Sequence, residues 1–251
     1  MSADAVGVKG TYRVCVAVLA LALAAISGCG HKQTVYQPPP QSLPPAQPQR
    51  AELPNDVTRA DLEYIDTHKP VLTEIGVASW YQAPYEGRRA ADGRIFDGNQ
   101  MTAANRTLPL GSLVVVTNLK TGQSGAMRIT DRGPFIAGRI LDLSIASAKA
   151  VGLYRDGVDR VRLDVYKTPK PIWSGGRWCV QIGPFTNHHK AIRLKKQLMR
   201  RYPDASVIEF PGERHEYWVR IRPQNGDRAT AIYLTRHIHP SQGVAFLTRL
   251  D

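Results

Sequence analysis

The sequence predicts a mostly β protein with an α+β module behind it: a small β-barrel in the middle of the chain, then a β-α-β-β-α-β domain. Three observations lead there. Residues 74–167 hold several short stretches in which apolar and polar residues alternate, with a single credible helix. From Trp178 onward a strand-helix unit recurs at a 39-residue interval. Clusters of proline and glycine separate these regions from each other and from the N-terminus.

The N-terminal elements come first. Lys9 and Arg13 precede an apolar stretch, Val14 to Ile26, that suits a secretory h-region and is short for a membrane span. It closes in Ile26-Ser27-Gly28-Cys29, which resembles the bacterial lipobox. That resemblance implies a signal peptide over 1–28 and an acylated Cys29 at the start of the mature chain. More than one acyl chain anchors firmly to a lipid membrane. Gly30, rather than Asp, follows the cysteine, which implies an outer-membrane anchor facing the periplasm. Cys15 leaves with the signal, so Cys179 is the lone remaining thiol and no intramolecular disulfide is expected. Residues 29–73 carry Pro38, Pro39, Pro40, Pro44, Pro45, Pro48 and Pro54 and read as an extended tether.

Composition narrows the partners. Hydrophobic residues make up 43% of the 251 and charged residues 22%, ordinary for a globular chain, and the net charge is +12. The segment 172–251 holds 13 Lys and Arg against 6 Asp and Glu, so much of the excess lies there. Such a balance suits a polyanion: nucleic acid, an anionic lipid surface or an anionic glycan. Three cysteines make no disulfide scaffold, and their spacing fits no zinc site.

Within 74–167, Ile75 to Tyr81 alternates like a strand, as do Leu113 to Thr117, Ala126 to Thr130 and Val161 to Val165. Lys120-Thr121-Gly122 supplies a turn. Ser144 is the N-cap of the one helix, Ile145 to Val151, which Gly152 stops. Taken alone, Asp131 reads as a turn residue in Asp131-Arg132-Gly133-Pro134, and Asp142 as a surface acid ahead of the helix.

The motifs Gly76-Val-Ala-Ser-Trp80-Tyr81, Thr102-Ala-Ala104, Arg106-Thr-Leu-Pro109, Val116-Thr-Asn-Leu119, Asp131-Arg-Gly-Pro134, Gly138-Arg139 and Asp142-Leu-Ser144 occur in one order. Together they resemble the rare lipoprotein A (RlpA) family. The resemblance implies a double-psi β-barrel and endolytic lytic transglycosylase activity on peptidoglycan glycan strands stripped of stem peptides, leaving 1,6-anhydro ends during septal splitting. It implies Asp142 as acid/base, Asp131 as supporting acid, Asp97 as a further acid, and Trp80, Tyr81 and Arg132 as substrate contacts. Such a reaction uses no attacking water and no cofactor or metal. Two positions depart from the family pattern: Arg94 stands where the family has Glu, and Asn105 where it has His. An Arg in the groove holds a nearby carboxyl ionised, although it also suits the lactyl carboxylate of muramic acid. A second reading therefore stands beside the enzyme: a catalytically impaired, glycan-binding tether between outer membrane and septal peptidoglycan.

Residues 168–176 form a linker, and 177–251 the last domain. Trp178, Val180 and Ile182 alternate ahead of Gly183-Pro184-Phe185. Asn187 caps a helix with Ala191, Leu194, Leu198 and Tyr202 on one face. Tyr217, Val219 and Ile221 repeat the strand, and a helix from near Asp227 carries Ala231, Leu234 and Ile238. The order resembles the SPOR domain, which implies binding of denuded glycan at the division septum, with Gln181, Phe185 and Arg220 as candidate contacts. The basic run Lys190 to Arg201 reads as a solvated helix face, and His188 and His189 diverge too much to share a metal. No RNA-binding aromatic run is found and no nucleic-acid partner is expected.

Overall fold

Branched and aliphatic residues at every second position give one face to a closed barrel interior. In β6 (Val158–Lys167), Val161, Leu163 and Val165 are fully buried while Arg160 and Arg162 face out. A similar division holds in β3 (Leu113–Asn118) and β4 (Ser124–Asp131), whereas β1 (Leu72–Trp80) is exposed over Thr73–Ile75 and buried at Ala78 and Ser79. The computed structural model describes residues 57–81, 85–210 and 216–251. In it these strands join β2 (Thr102–Ala104) and β5 (Arg139–Leu143) in a closed barrel of order β1-β5-β2-β4-β3-β6. Two of its pairings, β1 with β5 and β2 with β4, are parallel and the rest antiparallel. Met127, Ile129, Leu141 and Leu143 complete a core in which Val151 and Leu153, beside the short helix, also pack.

That helix, α2 (Ile145–Ala150), is preceded by α1 (Arg59–Thr67) in the chain. The Ser144 hydroxyl accepts from the Ser147 amide, and Gly152 takes φ +68, a value only glycine adopts freely. The helix ends one residue short of the sequence expectation. β2 and β5 were not expected as strands, because three and five residues are too short to show an alternation of their own.

The stretch to residue 73, expected to be tether, holds α1 instead. Thr58 and Asp61 form a capping box, and the Asp61 carboxylate takes a hydrogen bond from Arg128 on β4 at 2.5 Å. Nine mostly polar residues cannot hold a helix alone. The buried pair to the barrel supplies what the local pattern lacks, so pattern reading missed it. The expected signal segment, Cys29 and the proline-rich residues to 54 lie outside the described residues.

The second domain follows the predicted order. β7 (Trp178–Phe185), α3 (His188–Met199), β8 (Ser206–Phe210), β9 (Glu216–Ile221), α4 (Arg228–His237) and β10 (Val244–Arg249) form an antiparallel sheet of order β10-β7-β9-β8. Asn187 and Asp227 cap the two helices. The helices cover one sheet face through Val180, Ile182, Val219 and Ile221 against Ala191, Ala231 and Leu234. The other face carries Cys179, Gln181 and Thr248, each fully buried, with Trp218 and Phe246 nearly so. What covers it is the barrel. The Phe135 ring lies 5.3 Å from Trp218, 5.8 Å from Phe210 and 5.9 Å from Phe246. Arg106 sits over Phe246 at 5.3 Å and its carbonyl accepts from the Arg249 amide at 2.8 Å. Among the described residues no helix is long and apolar enough to cross a membrane.

Candidate active site

β2 is the hinge of the site. Its last residue, Ala104, pairs with Asp131 of β4 on one side and Asp142 of β5 on the other. Residues paired across neighbouring strands project from the same face, so the two carboxylates stand either side of a methyl group. With strands about 4.8 Å apart, their backbones lie roughly 10 Å from each other. The row continues to Ser79 of β1, which pairs with Asp142. Ala104, Asp131, Asp142 and Gly133 line the floor of one cleft of about 550 Å³. Gly133 closes against this floor: a Cβ there would sit 3.6 Å from both the Ala104 methyl and an Asp142 oxygen, an ordinary contact distance.

Hydrogen bonds distinguish the two acids. Asp131 Oδ1 accepts from the amides of Arg132 at 2.7 Å and Ala91 at 3.0 Å. Asp142 Oδ1 accepts from the Ser79 hydroxyl. Arg139 Nη1 donates to that same Ser79 oxygen at 3.0 Å. Because a guanidinium only donates, the Ser79 proton must point at Asp142. Burial pushes the Asp131 carboxyl up to about 6 against the pull of its two amide donors and Arg132. Burial also raises Asp142, opposed by the Ser79 hydrogen bond and by the charges of Arg139 and Arg106. Tyr81 stacks on Phe96 at 4.6 Å and meets Tyr85 edge-on at 5.7 Å, and both tyrosines line the cleft. Burial, then the charges of Asp131 and Asp142, pushes the Tyr81 hydroxyl well up, so it stays a neutral donor.

The other expected residues fall elsewhere. Asp97 and Arg94 line a separate small recess behind the strand-like turn 89–95, away from the Asp131/Asp142 cleft. Asp97 Oδ1 accepts from the Asn99 amide at 2.8 Å, closing a local turn. The tight turn from Ala90 to Gly93 directs Arg89 to the cleft and Arg94 to the recess. The expectation that Arg94 depresses the catalytic acid therefore lacks its geometry. Asn105 is buried and fully engaged: its amide donates to the Ile140 carbonyl at 3.0 Å, and its oxygen accepts from the Leu108 and Thr107 amides at 2.8 and 2.9 Å. It shapes the 105–108 loop and is not among the residues that line the cleft. Trp80 packs on the barrel core and on Tyr154 at 4.9 Å.

Arg132 lines the cleft, but its guanidinium is taken up by the carbonyls of Asn105 (3.0 Å) and Leu108 (2.6 Å) and the main-chain oxygen of Asp251 (2.7 Å). In the second domain, Gln181 is fully buried and its oxygen accepts from Arg220 at 3.2 Å. Phe185 is a core residue. Simple alternation from Gln181 puts it on the open face, but a register shift between Ile182 and Phe185 turns it under the helices. Sequence reading missed Ser79, Arg139, Arg88 and Arg89 as parts of the site. A serine at an inward-facing strand position was the one available signal.

Comparison with known proteins agrees with this architecture. A family model described as lytic transglycolase matches residues 73–163, and a SPOR domain model matches 174–232. A probable endolytic peptidoglycan transglycosylase RlpA from Synechocystis sp. is 53% identical over 90 residues, covering 36% of this chain and 28% of that protein. An endolytic peptidoglycan transglycosylase RlpA from Pasteurella multocida is 33% identical over 161 residues, 64% of this chain and 53% of its own. The corresponding protein of Vibrio cholerae is 46% identical over 187 residues, 72% of this chain and 70% of its own. The chain thus spans about a quarter and about half of the first two relatives' lengths. With both domains matched in order and a relative aligned over most of its length, the chain belongs to the RlpA family.

Proposed function

We infer that this chain cleaves peptidoglycan glycan strands as a lytic transglycosylase, with Asp131 and Asp142 sharing the proton work. The observation that carries this is the pair of half-buried carboxylates flanking Ala104 on the floor of an open cleft. Asp131, raised to about 6, keeps a protonated fraction near neutral pH and suits the proton donor. Burial raises Asp142 too, but Ser79, Arg139 and Arg106 oppose it, so this carboxyl suits the partner that accepts a proton. That is the reverse of the roles expected from family resemblance. The Asp131 proton goes to the glycosidic oxygen as the C1–O bond breaks. The muramic C6 hydroxyl then bonds to C1 and gives its proton to Asp142, and the ring closes as a 1,6-anhydro end. Exchange with solvent returns both carboxyls to their starting state. No water attacks, so the spacing rule of hydrolytic carboxylate pairs does not apply.

The preferred substrate is glycan stripped of stem peptides, and the site of action the periplasmic cell wall, enriched at the septum. A lipid anchor at Cys29 rests on the sequence alone, and incorporation of labelled palmitate, lost in Cys29→Ser, tests it. The tether reading keeps one supporting observation: Asn105, at the family's histidine, has its amide consumed by the fold. Digestion of amidase-stripped sacculi with the full chain decides between the two. Soluble 1,6-anhydro-muramyl products, abolished by Asp131→Asn and by Asp142→Asn, support the enzyme. Binding without any product supports the tether.

A further inference from the structure

The cleft above Asp131 and Asp142 has two walls, and only one belongs to the barrel. Gly183, Pro184, Phe210, Glu216, Trp218 and Val244 of the second domain line the other. The domains are not merely adjacent there. Arg132, next to Asp131 in sequence, donates to the main-chain oxygen of Asp251 at 2.7 Å, and the Arg249 amide donates to the Arg106 carbonyl at 2.8 Å. Phe135, two residues beyond Gly133, packs among Phe210, Trp218 and Phe246. The loop that carries Asp131 is thereby fastened to the sheet of the second domain.

Strand alternation then places a third acid. In β9, Tyr217, Val219 and Ile221 pack toward the helices, so Glu216 and Trp218 share the barrel-facing side. Trp218 is buried under Phe135, whereas Glu216 is half-buried and lies two residues, roughly 7 Å, further along the strand. Tyr85 of the barrel wall stands among all three acids. After burial, the charge acting most on its hydroxyl is that of Glu216, ahead of Asp142 and Asp131. Arg88 and Arg89 border the same cleft. Aromatic walls with a few convergent polar groups, at a domain interface, are what a sugar chain requires. Carboxylates accept hydrogen bonds from its hydroxyl and N-acetyl N–H groups.

We propose that the second domain forms the outer wall of the substrate cleft, and that Glu216 is its substrate-contacting carboxylate, opposite Asp131 and Asp142. The glycan strand then lies between the domains and touches both at once. This deepens the transglycosylase reading and rests on it.

The test uses the full chain on amidase-stripped sacculi, comparing the parent with Glu216→Gln and Val244→Arg. Val244 is exposed on the second-domain wall, so the long cation obstructs the cleft without touching the barrel. Losing one charge-assisted hydrogen bond lowers kcat/KM about tenfold in Glu216→Gln, chiefly through KM, and Val244→Arg lowers it further. Thermal midpoints stay at the parent value. Rates within twofold of the parent in both variants overturn the proposal. If the parent itself releases no 1,6-anhydro product, the activity reading fails, and the wall is then judged by binding. Stripped glycan fragments are titrated against tryptophan fluorescence, with Trp218 at the cleft base as reporter. Weaker binding by Glu216→Gln and Val244→Arg supports the two-domain cleft. Equal binding, or none in any chain, overturns it.

Discussion

Asp131 is held in a state that folding alone does not favour. Desolvation pushes its carboxyl up to about 6, well above the ordinary aspartate range. A raised acid contributes fully below its unfolded pKa, and that contribution is lost as pH rises through the folded value. The cost of ionising Asp131 therefore builds up between about pH 4 and pH 6 and is present in full above that. Asp131→Asn keeps the oxygen that receives the Ala91 and Arg132 amides and removes the charge. We expect it to stabilise the chain by about 2 kcal/mol at pH 7 while abolishing turnover, with the gain absent at pH 4 when chemical denaturation is followed at both. Ser79→Ala probes the other acid. Burial raises Asp142 and the Ser79 hydroxyl opposes it, so removing the hydroxyl moves the acidic limb of the pH–rate profile upward. Arg94→Glu, which sequence reasoning alone expects to restore a family-like rate, is predicted to leave the rate within about twofold, because Arg94 borders a different recess.

At the scale of elements, α1 shows how a segment without pattern acquires structure. Its capping box and the buried Asp61–Arg128 pair do work that an apolar stripe would otherwise do. The pair offsets its own burial only while both partners are present. Asp61→Ala leaves the Arg128 guanidinium unpaired against the barrel and is expected to cost about 3 kcal/mol in denaturant titrations; Thr58→Ala costs about 1 kcal/mol. Burial raises the Asp61 carboxyl, but its bonds to Thr58 and Arg128 outweigh this and hold it low. Its contribution is then present above pH 4 and lost as pH falls below that value. β2 makes the complementary point. Three residues suffice as a strand because both edges are paired, to β4 and β5.

For the whole molecule, the barrel-facing side of the second sheet is the decisive surface. Asp251 sits at its edge. Burial pushes its carboxyl up, yet Lys170, the Arg177 amide and Arg249 together hold it well below the usual range. With Arg132 on its main-chain oxygen, it joins linker, sheet and barrel loop. Phe135→Ser is expected to cost about 2–3 kcal/mol and to split one cooperative melting transition into two. Trp218 fluorescence shifts to the red as the sheet face meets water. The isolated segment 174–251 exposes Trp218, Phe246 and neighbouring apolar area, so it self-associates more than the full chain in sedimentation velocity.

From sequence alone, local period identified four of the six barrel strands, both second-domain helices with their caps, and the doubled strand-helix unit. These are properties of short windows: which face a side chain leaves from, and where a helix can start or stop. The two aspartates stood out only through the resemblance of ordered motifs to a family. What only the tertiary structure decided is which windows meet. Ser79, Ala104, Asp131 and Asp142 form one row because barrel closure sets the register of strands far apart in the chain. Arg94 and Asn105 look like neighbours of the acids in sequence, yet a tight turn sends one to another recess and three hydrogen bonds consume the other. Phe185 changes face through a single register shift. Glu216 enters the cleft through the docking of a second domain, an arrangement that no window of the sequence contains, because the contacts that hold it lie on loops and a sheet face with no period of their own.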